Sequence, residues 1–330
     1  ETASRVLNGK YKGRTARSKD VMRRVEAAAS ALDYRPHNAA RSMRTSSSGL
    51  IGLVVEESVL ITHPVISETM RGIAQAFSEN GLVLTITSLE GVNERIFDSR
   101  IFHERLLDGI IVVDNISPEL TELMRKRISP CIAVNNNDWQ PFCCVRRDEY
   151  AAGFLAGAEL AKLGYEDALY IELPVRNPPA DFPHYSEPDR LAGFKDGFCK
   201  KGSKNGVKLY HVSPSEKMAP SLTHYLLRHK AEIGRKTVIV AATCLILHCL
   251  KTSLPELQMR PGSDFGVACL DDESGLLKSS PGLSRVSFPR FEMGQIAGRM
   301  IHSALKGSKD ECKSVALEGQ WLPGASTQKT

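Results

Sequence analysis

The feature that most constrains this chain is a repeated alternation of short apolar segments with amphipathic ones. From Gly49 onward, continuous apolar runs such as "GLIGLVVEE", "DGIIVVD" and "TVIVAAT" alternate with segments that place apolar residues at helical spacing, such as "ISETMRGIAQAFSEN". Apolar runs of this kind are typical of strands buried on both faces, as in parallel sheets covered by helices. The alternation therefore predicts a layered α/β structure.

This alternation runs through the chain twice. The first set extends from the strand predicted in "GLIGLVVEE" to the one in "PCIAVN", and the second from the helix predicted in "DEYAAGFLAGAELAKLG" to the one in "RFEMGQIAGRMIHSALKG". Two such sets fit two lobes with a cleft between them. The carboxyl ends of both sets of strands would face this cleft, which is where open α/β sheets bind ligands. We therefore predict an α/β core of two lobes, each built of parallel β/α layers.

Positive charge is concentrated at the start of the chain. Residues 1–48 contain eleven Lys and Arg against four Asp and Glu, whereas the remainder is close to neutral. A basic head on a neutral body is typical of proteins that bind a polyanion such as DNA. Helices are predicted over 1–9 and 18–33, with Ser18 capping the second, which favours a folded head over a disordered basic tail. Because a Ser-rich joint follows, we predict that the core occupies residues 49–330.

The sequence contains few of the motifs that carry chemistry. It has no P-loop, no dinucleotide-binding glycine pattern, no zinc-protease motif and no G-x-S-x-G motif. No apolar run reaches the roughly 18 residues that a membrane helix needs. Cys244, His248 and Cys249 have metal-like spacing on one predicted helix, but core packing is favoured because no further ligands accompany them. We therefore expect no cofactor, no metal site and no membrane partner.

The eight cysteines are scattered and form no C-x-x-C pair. Several lie within apolar strand or helix patterns, where cysteine packs as a small hydrophobic residue. The adjacent Cys143 and Cys144 are interpreted in the same way, as packing at the edge of a strand. In a chain of this length, the distribution indicates a reducing cytoplasm rather than a disulfide framework.

Taken in order, these segments resemble the lactose/galactose-repressor (LacI/GalR) family of bacterial transcription regulators. "TASRVLNG" resembles the family's recognition helix, "ALDYRPHNAARSMRT" its third helix and hinge, and "DRLAGFKDGF" and "VACLDDESGLLKSSPGLSRVSFPRFEMGQIAG" parts of its core. The resemblance covers essentially the whole chain. It implies a two-lobe, periplasmic-binding-protein-like α/β core preceded by an all-α helix-turn-helix head and hinge. The resemblance begins partway into the second helix of that head, so we expect the first helix and turn to be absent and operator specificity to need them.

On the DNA side, the resemblance implies contacts from the recognition helix and from the hinge. The matching positions are Thr2, Arg5, Asn8, Arg41, Met43 and Arg44. Arg5 suits a guanine edge in the major groove, and a phosphate contact alone is the alternative left open. Met43 stands where the family wedges a Leu into the minor groove, and the arginines on either side of it suit phosphate or minor-groove contacts.

On the effector side, the resemblance implies a site in the cleft. The positions assigned to it are Arg190, Asp271, Asn135, Asp148, Thr243, Val65 and Ile66. Arg190 matches the family's ligand-clamping Arg, and Asp271 matches its hydroxyl-accepting Asp. The chain departs from the family where an Asn-Asp pair is replaced by Thr243-Cys244, and where an Asn-Pro-aromatic-aromatic stretch is replaced by 63–66.

These two departures remove a carboxylate that would clamp hydroxyls and a ring that would stack on a sugar. We therefore predict weak or no binding of common neutral monosaccharides, and we describe the effector only as a sugar-like or other small polar metabolite. Trp139, Phe182, His184 and Tyr185 are loop residues that would offer replacement aromatic surface if they lie at the cleft.

Together, these observations predict a ligand-responsive, sequence-specific DNA-binding transcriptional regulator. We expect a cytoplasmic homodimeric repressor that binds an operator duplex and a small-molecule effector and catalyses no reaction. Two alternatives are a solute-binding receptor of the same fold without DNA function, and an enzyme that uses Asp271, Asp272 and Arg190. The basic head, the cysteines and the absence of a visible signal peptide oppose the first, and the lack of a nucleophile–base arrangement opposes the second.

Overall fold

The computed structural model of the chain divides into two compact units, Glu1–Gly49 and Leu50–Thr330. The statements below refer to the residues that the structure describes. These are 2–7, 11–12, 14–34, 42, 47–55, 64–88, 104, 106–116, 118–137, 143–173, 184–199, 206–212, 217–272, 282–308 and 313–328.

The first unit contains helices α1 (Thr2–Leu7) and α2 (Ala16–Ala31). The N-cap of α2 is Thr15 rather than Ser18: the Thr15 hydroxyl accepts from the Ser18 amide at 3.2 Å, and the Ser18 hydroxyl accepts from the Thr15 amide at 2.9 Å. This reciprocal pair satisfies two amides at once, which is why the helix begins before Ser18. Leu32, which follows the helix, is 78% exposed.

Removal of this cap is expected to weaken α2 measurably. Thr15→Ala deletes the acceptor of the Ser18 amide and is expected to cost about 1 kcal/mol of local stability. Thr15→Ser keeps the hydroxyl and serves as the matched control. Amide hydrogen exchange in α2 of the whole chain measures the difference, and equal protection in the two variants would contradict the role of Thr15.

The second unit is built on two six-stranded sheets. The strands of the first sheet are β1 (Leu50–Val55), β2 (Val83–Ser88), β3 (Gly109–Val113), β4 (Cys131–Val134), β5 (Cys143–Arg147) and β11 (Val315–Leu317), in the order β11-β5-β4-β3-β1-β2. All neighbouring pairs in this sheet are parallel. This arrangement confirms the parallel β/α layer predicted from the apolar runs.

The second sheet repeats this plan with one reversal. Its strands are β6 (Asp167–Glu172), β7 (Gly206–His211), β8 (Thr237–Ala241), β9 (Gly266–Cys269), β10 (Ser284–Ser287) and β12 (Gln320–Leu322), in the order β12-β10-β9-β8-β6-β7. Only β12 runs antiparallel to its neighbour. The strands β10, β11 and β12 were not predicted, because segments of three or four residues with polar members carry no clear periodicity.

Helices cover both sheets. Those of the second unit are α3 (Pro64–Asn80), α4 (Pro118–Arg127), α5 (Glu149–Lys162), α6 (Ser186–Phe198), α7 (Met218–Arg228), α8 (Cys244–Leu257) and α9 (Arg290–Leu305). Helices α3 and α9 share one apolar core with the first sheet, whereas α5 and α6 share another with the second sheet. The helix predicted in "ERIFDSRIFHERLL" lies almost entirely outside the described residues.

The chain passes between the two lobes at three points. It crosses at Asp148 between β5 and α5, at 288–289 between β10 and α9, and at 318–319 between β11 and β12. The Asp148 amide donates to the Leu317 carbonyl at 2.8 Å, so the first and third crossovers are hydrogen-bonded to each other. The carboxyl ends of β5, β10 and β11 therefore lead directly into these three crossovers, which connect the two lobes.

The helix pairs in both lobes cross at glycines. In the pair α5–α6, a Cβ placed on Gly193 would lie 2.1 Å from the Tyr150 carbonyl oxygen, and one on Gly153 would lie 2.2 Å from the Arg190 carbonyl oxygen. In the pair α3–α9, a Cβ on Gly294 would lie 2.0 Å from the Thr69 carbonyl oxygen. The backbones of these helices are thus in contact, which leaves each pair no room to slide.

No helix in the described part of the chain is long and apolar enough to cross a bilayer. Within the same residues, no group of three or more His, Cys, Asp or Glu side chains is placed to hold a metal ion. Cys244 and Cys249 pack in the core of the second lobe, and the Cys244 sulfur lies 4.0 Å from that of Cys269. Cys143 is disulfide-bonded, which differs from the packing role expected for it.

Candidate functional site

Polar side chains collect where the strands of both lobes end. Asp114 follows β3, Asn135 follows β4, Arg147 closes β5 and Asp271 follows β9. Asp114 and Asn135 both have positive φ, 67° and 53°, a conformation that these two residue types adopt more readily than most. The sharp turns at the strand ends direct the chain back at the edge of the sheet. This places the polar groups beside the three crossovers.

Arg147, Glu149 and Arg190 form the first half of a buried ion cluster. The Arg190 Nε and Nη2 donate to the two Glu149 oxygens at 2.7 and 2.9 Å, and the Arg147 Nη2 lies 2.9 Å from Glu149 Oε1. Arg190 also donates to the Ala242 carbonyl. Glu149 is 1% exposed and serves two guanidinium groups. Burial opposes the charge of Arg190, but Glu149 outweighs this effect and raises the pKa of Arg190 well above its ordinary value.

Asp271 and Arg290 form the second half of this cluster. The Arg290 Nη2 donates to Asp271 Oδ1, and the Arg147 Nη1 lies 3.5 Å from the same oxygen. The Asp272 amide donates to this carboxylate at 2.8 Å, and Arg290 donates to the Asp272 carbonyl. Burial alone would raise the pKa of Asp271, but the three arginines of the cluster lower it well below its ordinary value. Asp271 is therefore ionised and joins the second lobe to two crossovers.

The start of α6 contacts the first lobe. The Tyr185 hydroxyl donates to Asn135 Oδ1 at 3.0 Å and accepts from the Arg147 amide at 3.1 Å, while the Tyr185 amide donates to Asn137 Oδ1 at 2.8 Å. The His184 Nε2 lies 2.8 Å from the Asn135 carbonyl oxygen and 3.1 Å from Asp114 Oδ1. Burial raises the pKa of Tyr185 to about 12. These contacts hold the lobes together on one side of the cluster.

A small cavity lies beside the cluster. It is lined by Ile66, Thr69, Val113, Val134, Asn135, Arg147, Arg290 and Met293. Its volume of about 10 Å³ admits one water-sized molecule, whereas small-molecule sites usually measure roughly 300–1,000 Å³. The protein's own side chains therefore close this cleft, and a ligand of several atoms enters only if some of them move.

The sequence-predicted effector residues differ in their positions. Asn135 and Ile66 line the cavity, and Asp271 pairs with the two arginines of its wall. Arg190 lies behind Glu149. Two other positions, Asp148 and Thr243, are not among the residues that line this cavity. Asp148 and Thr243 are the N-caps of α5 and α8, with side chains that accept from Ala151 and Ile246 amides at 2.9 and 3.5 Å, and Val65 lies in α3 with its side chain outside the described residues.

The sequence-predicted DNA residues lie in the first unit. Thr2 and Arg5 are exposed on α1, while Val6 is buried. This alternation of exposed and buried residues fits a short helix that packs with one face and exposes the other. Asn8, Arg41, Met43 and Arg44 lie outside the described residues, as do the loop aromatics Trp139 and Phe182.

Sequence reasoning missed Arg147, Glu149 and Arg290. "CCVRRDE" offered a sign, because two arginines end an apolar strand just before a helix cap, at an edge where ligands bind. Arg290 was counted only as the first residue of the last helix. The charges themselves were visible, but their pairing was not, since the partners are far apart in the chain.

Comparison with known proteins assigns this fold to a family. A profile of the periplasmic-binding-protein-like domain matches residues 158–327. The transcriptional regulator KdgR of Bacillus subtilis is 23% identical over 97% of this chain and 91% of its own length. The chain belongs to the periplasmic-binding-protein-like family, as a LacI/GalR-type regulator. The ribose operon repressor of Escherichia coli is 24% identical to this regulator over 90% of the chain and 86% of the repressor.

The solved structures agree with this assignment. The lac repressor dimer bound to operator and the anti-inducer ONPF matches the regulator with a TM-score of 0.78, at 17% identity, over 99% of this chain and 94% of that one. At this identity, the match concerns the fold. The family and the two-lobe fold predicted from the sequence are thus confirmed.

Proposed function

We propose that the regulator binds duplex DNA through residues 1–48 and that an effector bound between the lobes of residues 49–330 changes its affinity for an operator. The observation that carries this proposal is the buried ion cluster at the crossovers. It joins residues of both lobes through groups that a polar ligand can replace. A ligand that exchanges one of these ion pairs for its own contacts would change the balance between lobe arrangements.

Such control requires that the effector bind the two lobe arrangements with different affinities. Arg147 and Glu149 flank the first crossover, and Arg290 follows the second. A ligand that draws on these arginines acts on the segments about which the lobes rotate. We assign Asn135 and Ile66 to the wall of the site, Asp271 to its internal counter-charge, and Arg190 to positioning of Glu149. Asp148, Thr243 and Val65 remain proposed site positions of the same cleft.

On the DNA side, we propose that Thr2, Arg5 and Asn8 face the major groove and that Arg41, Met43 and Arg44 belong to the hinge. The support for this is the exposure of Thr2 and Arg5 on a helix whose other face is packed, and the concentration of basic residues in the head. The names of the relatives, which are operon repressors and transcriptional regulators, favour repression.

A salt titration of DNA binding tests this part of the proposal. Arg5→Ala is expected to reduce the slope of log affinity against log salt by about one per protomer, because each protomer loses one phosphate-neutralising or base-contacting cation. Arg23→Ala is the matched control: Arg23 lies on α2 and is paired with Asp20 at 3.0 Å. We expect a smaller change for it. Equal slopes in wild type and Arg5→Ala would remove α1 from the interface.

We further propose a cytoplasmic homodimer without catalytic activity. Val83 and Ile86 are exposed on β2, the strand at one end of the first sheet, and Val83 is 55% exposed. An apolar strand at the end of a sheet is a surface that a second copy can cover. Asp271 does not suit catalysis, since a general acid or base needs a pKa near the working pH and its pKa is lowered.

A further inference from the structure

The buried ion cluster at the crossovers contains more positive than negative charge. Arg147, Arg190 and Arg290 face the two carboxylates of Glu149 and Asp271. All five residues are at most 7% exposed. Unpaired buried charge is costly in a protein interior. The described residues of the cluster therefore have the composition of a receptor that lacks one negative charge.

Neighbouring charged groups in the described part of the chain have partners of their own. Asp272 faces Arg285, with 3.6 Å between Oδ2 and Nε, and Asp114 faces His184 at 3.1 Å. Arg146 stacks on the Tyr185 ring, 4.7 Å from its centre, and is not among the residues that line the cavity. The charge of Arg147 also lowers the pKa of Asp114, but among the described residues neither Asp114 nor Asp272 forms an ion pair with an arginine of the cluster.

Donors without acceptors lie at the cavity. The Arg147 Nη1 and the Arg290 Nε are buried and have no hydrogen-bond partner, and both residues line the cavity. Arg147 is only 6% exposed, so bulk water cannot act as the acceptor that its Nη1 lacks. Buried guanidinium groups normally use their donors on carboxylates or carbonyls, because an unmet donor costs about 1–3 kcal/mol.

Asp271 shows what these two arginines bind. One of its oxygens receives the Arg290 Nη2 and lies 3.5 Å from the Arg147 Nη1, so two guanidinium groups converge on a single carboxylate oxygen. The ring of Phe288 holds both groups in place, 5.0 Å from Arg147 and 5.7 Å from Arg290. The protein thus holds a preformed carboxylate receptor that faces the cavity and is occupied in part by its own side chain.

We propose that the effector is a small molecule with one carboxylate, and that this carboxylate binds Arg147 and Arg290. The inference rests on the proposed function, in which the cleft holds an effector. One carboxylate supplies the single negative charge by which the described arginines of the cluster outnumber its carboxylates, whereas a phosphate dianion would exceed it and a neutral sugar would leave it unmet. The cavity lining also contains the apolar side chains of Ile66, Val113, Val134 and Met293, which accept a short carbon skeleton.

Binding of this carboxylate requires some of the side chains that close the cleft to move, since the cavity holds only about one water-sized molecule. The ligand carboxylate then shares the two arginines with Asp271, which relaxes the link between the second lobe and the crossovers. Effector binding and the weakening of this link are the same event in this scheme.

Matched pairs of ligands test the proposal. Thermal unfolding of the whole chain is followed with millimolar glycerate, lactate and gluconate, and with their neutral counterparts glycerol, propane-1,2-diol and glucitol. Glycerol 3-phosphate and glucose 6-phosphate form the phosphate arm. We expect at least one carboxylate to raise the melting temperature and its neutral counterpart to bind at least about tenfold more weakly, the factor expected for loss of a charge-assisted hydrogen bond.

Variants assign the effect to the two arginines. Arg147→Gln and Arg290→Gln are expected to weaken the responding carboxylate about tenfold or more, while Arg146→Gln, which removes the adjacent positive charge, keeps the response. Arg290→Lys retains the charge and is used if Arg290→Gln does not fold by circular dichroism. It is expected to retain part of the response.

Any of the following results would overturn the inference: no shift with any carboxylate, equal shifts within a matched pair, a stronger response to a phosphate, or an unchanged response in both arginine variants. Salt-dependent DNA binding, measured on the same samples, separates this inference from the proposed function. A neutral sugar that shifts both melting and DNA affinity overturns only the inference. A chain that shows no DNA binding overturns the proposed function.

Discussion

Replacement of Glu149 by Gln is expected to lower the unfolding free energy of the core by about 3–5 kcal/mol. Glu149 is the only carboxylate that the structure shows within hydrogen-bond distance of Arg190, and it also faces Arg147 at 2.9 Å. The amide removes the negative charge but keeps the size of the side chain. Two buried guanidinium groups then lose their shared counter-charge in surroundings from which water is excluded. The stability is lost because two buried charges become unpaired, and an unpaired buried charge costs far more free energy than a surface ion pair contributes.

Glu159→Gln provides the matched control on the same helix. Glu159 pairs with Lys162 at 2.6 Å, but its side chain is 30% exposed and the lysine is largely exposed. Solvent screens this pair, so we expect a change below about 1 kcal/mol. Urea unfolding of both variants at neutral pH measures the difference. Comparable midpoints for the two would show that the buried cluster is not held together by Glu149.

Gly193→Ala is expected to destabilise the second lobe by about 1–3 kcal/mol or more. A loss of stability would be informative, because alanine in a helix interior normally stabilises a protein by about 0.5–1 kcal/mol relative to glycine. Here the new Cβ would lie 2.1 Å from the Tyr150 carbonyl oxygen and 3.0 Å from the Phe154 nitrogen. Both atoms belong to the backbone of α5 and cannot rotate away. The helices would have to separate, and the aromatic core beneath them would lose contacts.

Gly234→Ala is the control for this substitution. A Cβ on Gly234 meets nothing within 4 Å, and this residue does not have a positive φ. We expect a change within about 0.5 kcal/mol. Thermal unfolding of both variants provides the comparison. If Gly193→Ala unfolds at the same temperature as wild type or higher, the helices do not cross as closely as described.

The sequence predicted the long elements of the fold because burial on both faces leaves a strong pattern. The strand β3 (Gly109–Val113) and the helix α9 (Arg290–Leu305) are examples, since one is wholly apolar and the other has its apolar residues on one face. Short strands could not be predicted from such a pattern. β12 (Gln320–Leu322) has three residues and gains its place by pairing with β10, an interaction that local periodicity does not contain.

The candidate site was predicted in part. Arg190 and Asp271 were identified through the family resemblance, and both belong to the buried cluster. Their partners could not be predicted, because Glu149 lies 41 residues from Arg190 and Arg290 lies 19 residues from Asp271. Only the folded chain brings such residues together. A lone arginine in a sequence does not reveal whether another side chain already accepts from its donors. This decides whether those donors are available to a ligand.

The three crossovers also affect how the regulator is made. The first lobe needs α9 and β11 (Val315–Leu317) to complete its core and sheet, and the second needs β12 (Gln320–Leu322). Both lobes therefore remain unfinished until the ribosome has added β11 and β12. Domains generally fold as units during synthesis, amino-terminal part first. In this chain, the head can fold early, whereas the cleft forms only after β12 has been made. No single cut would release either lobe as a whole.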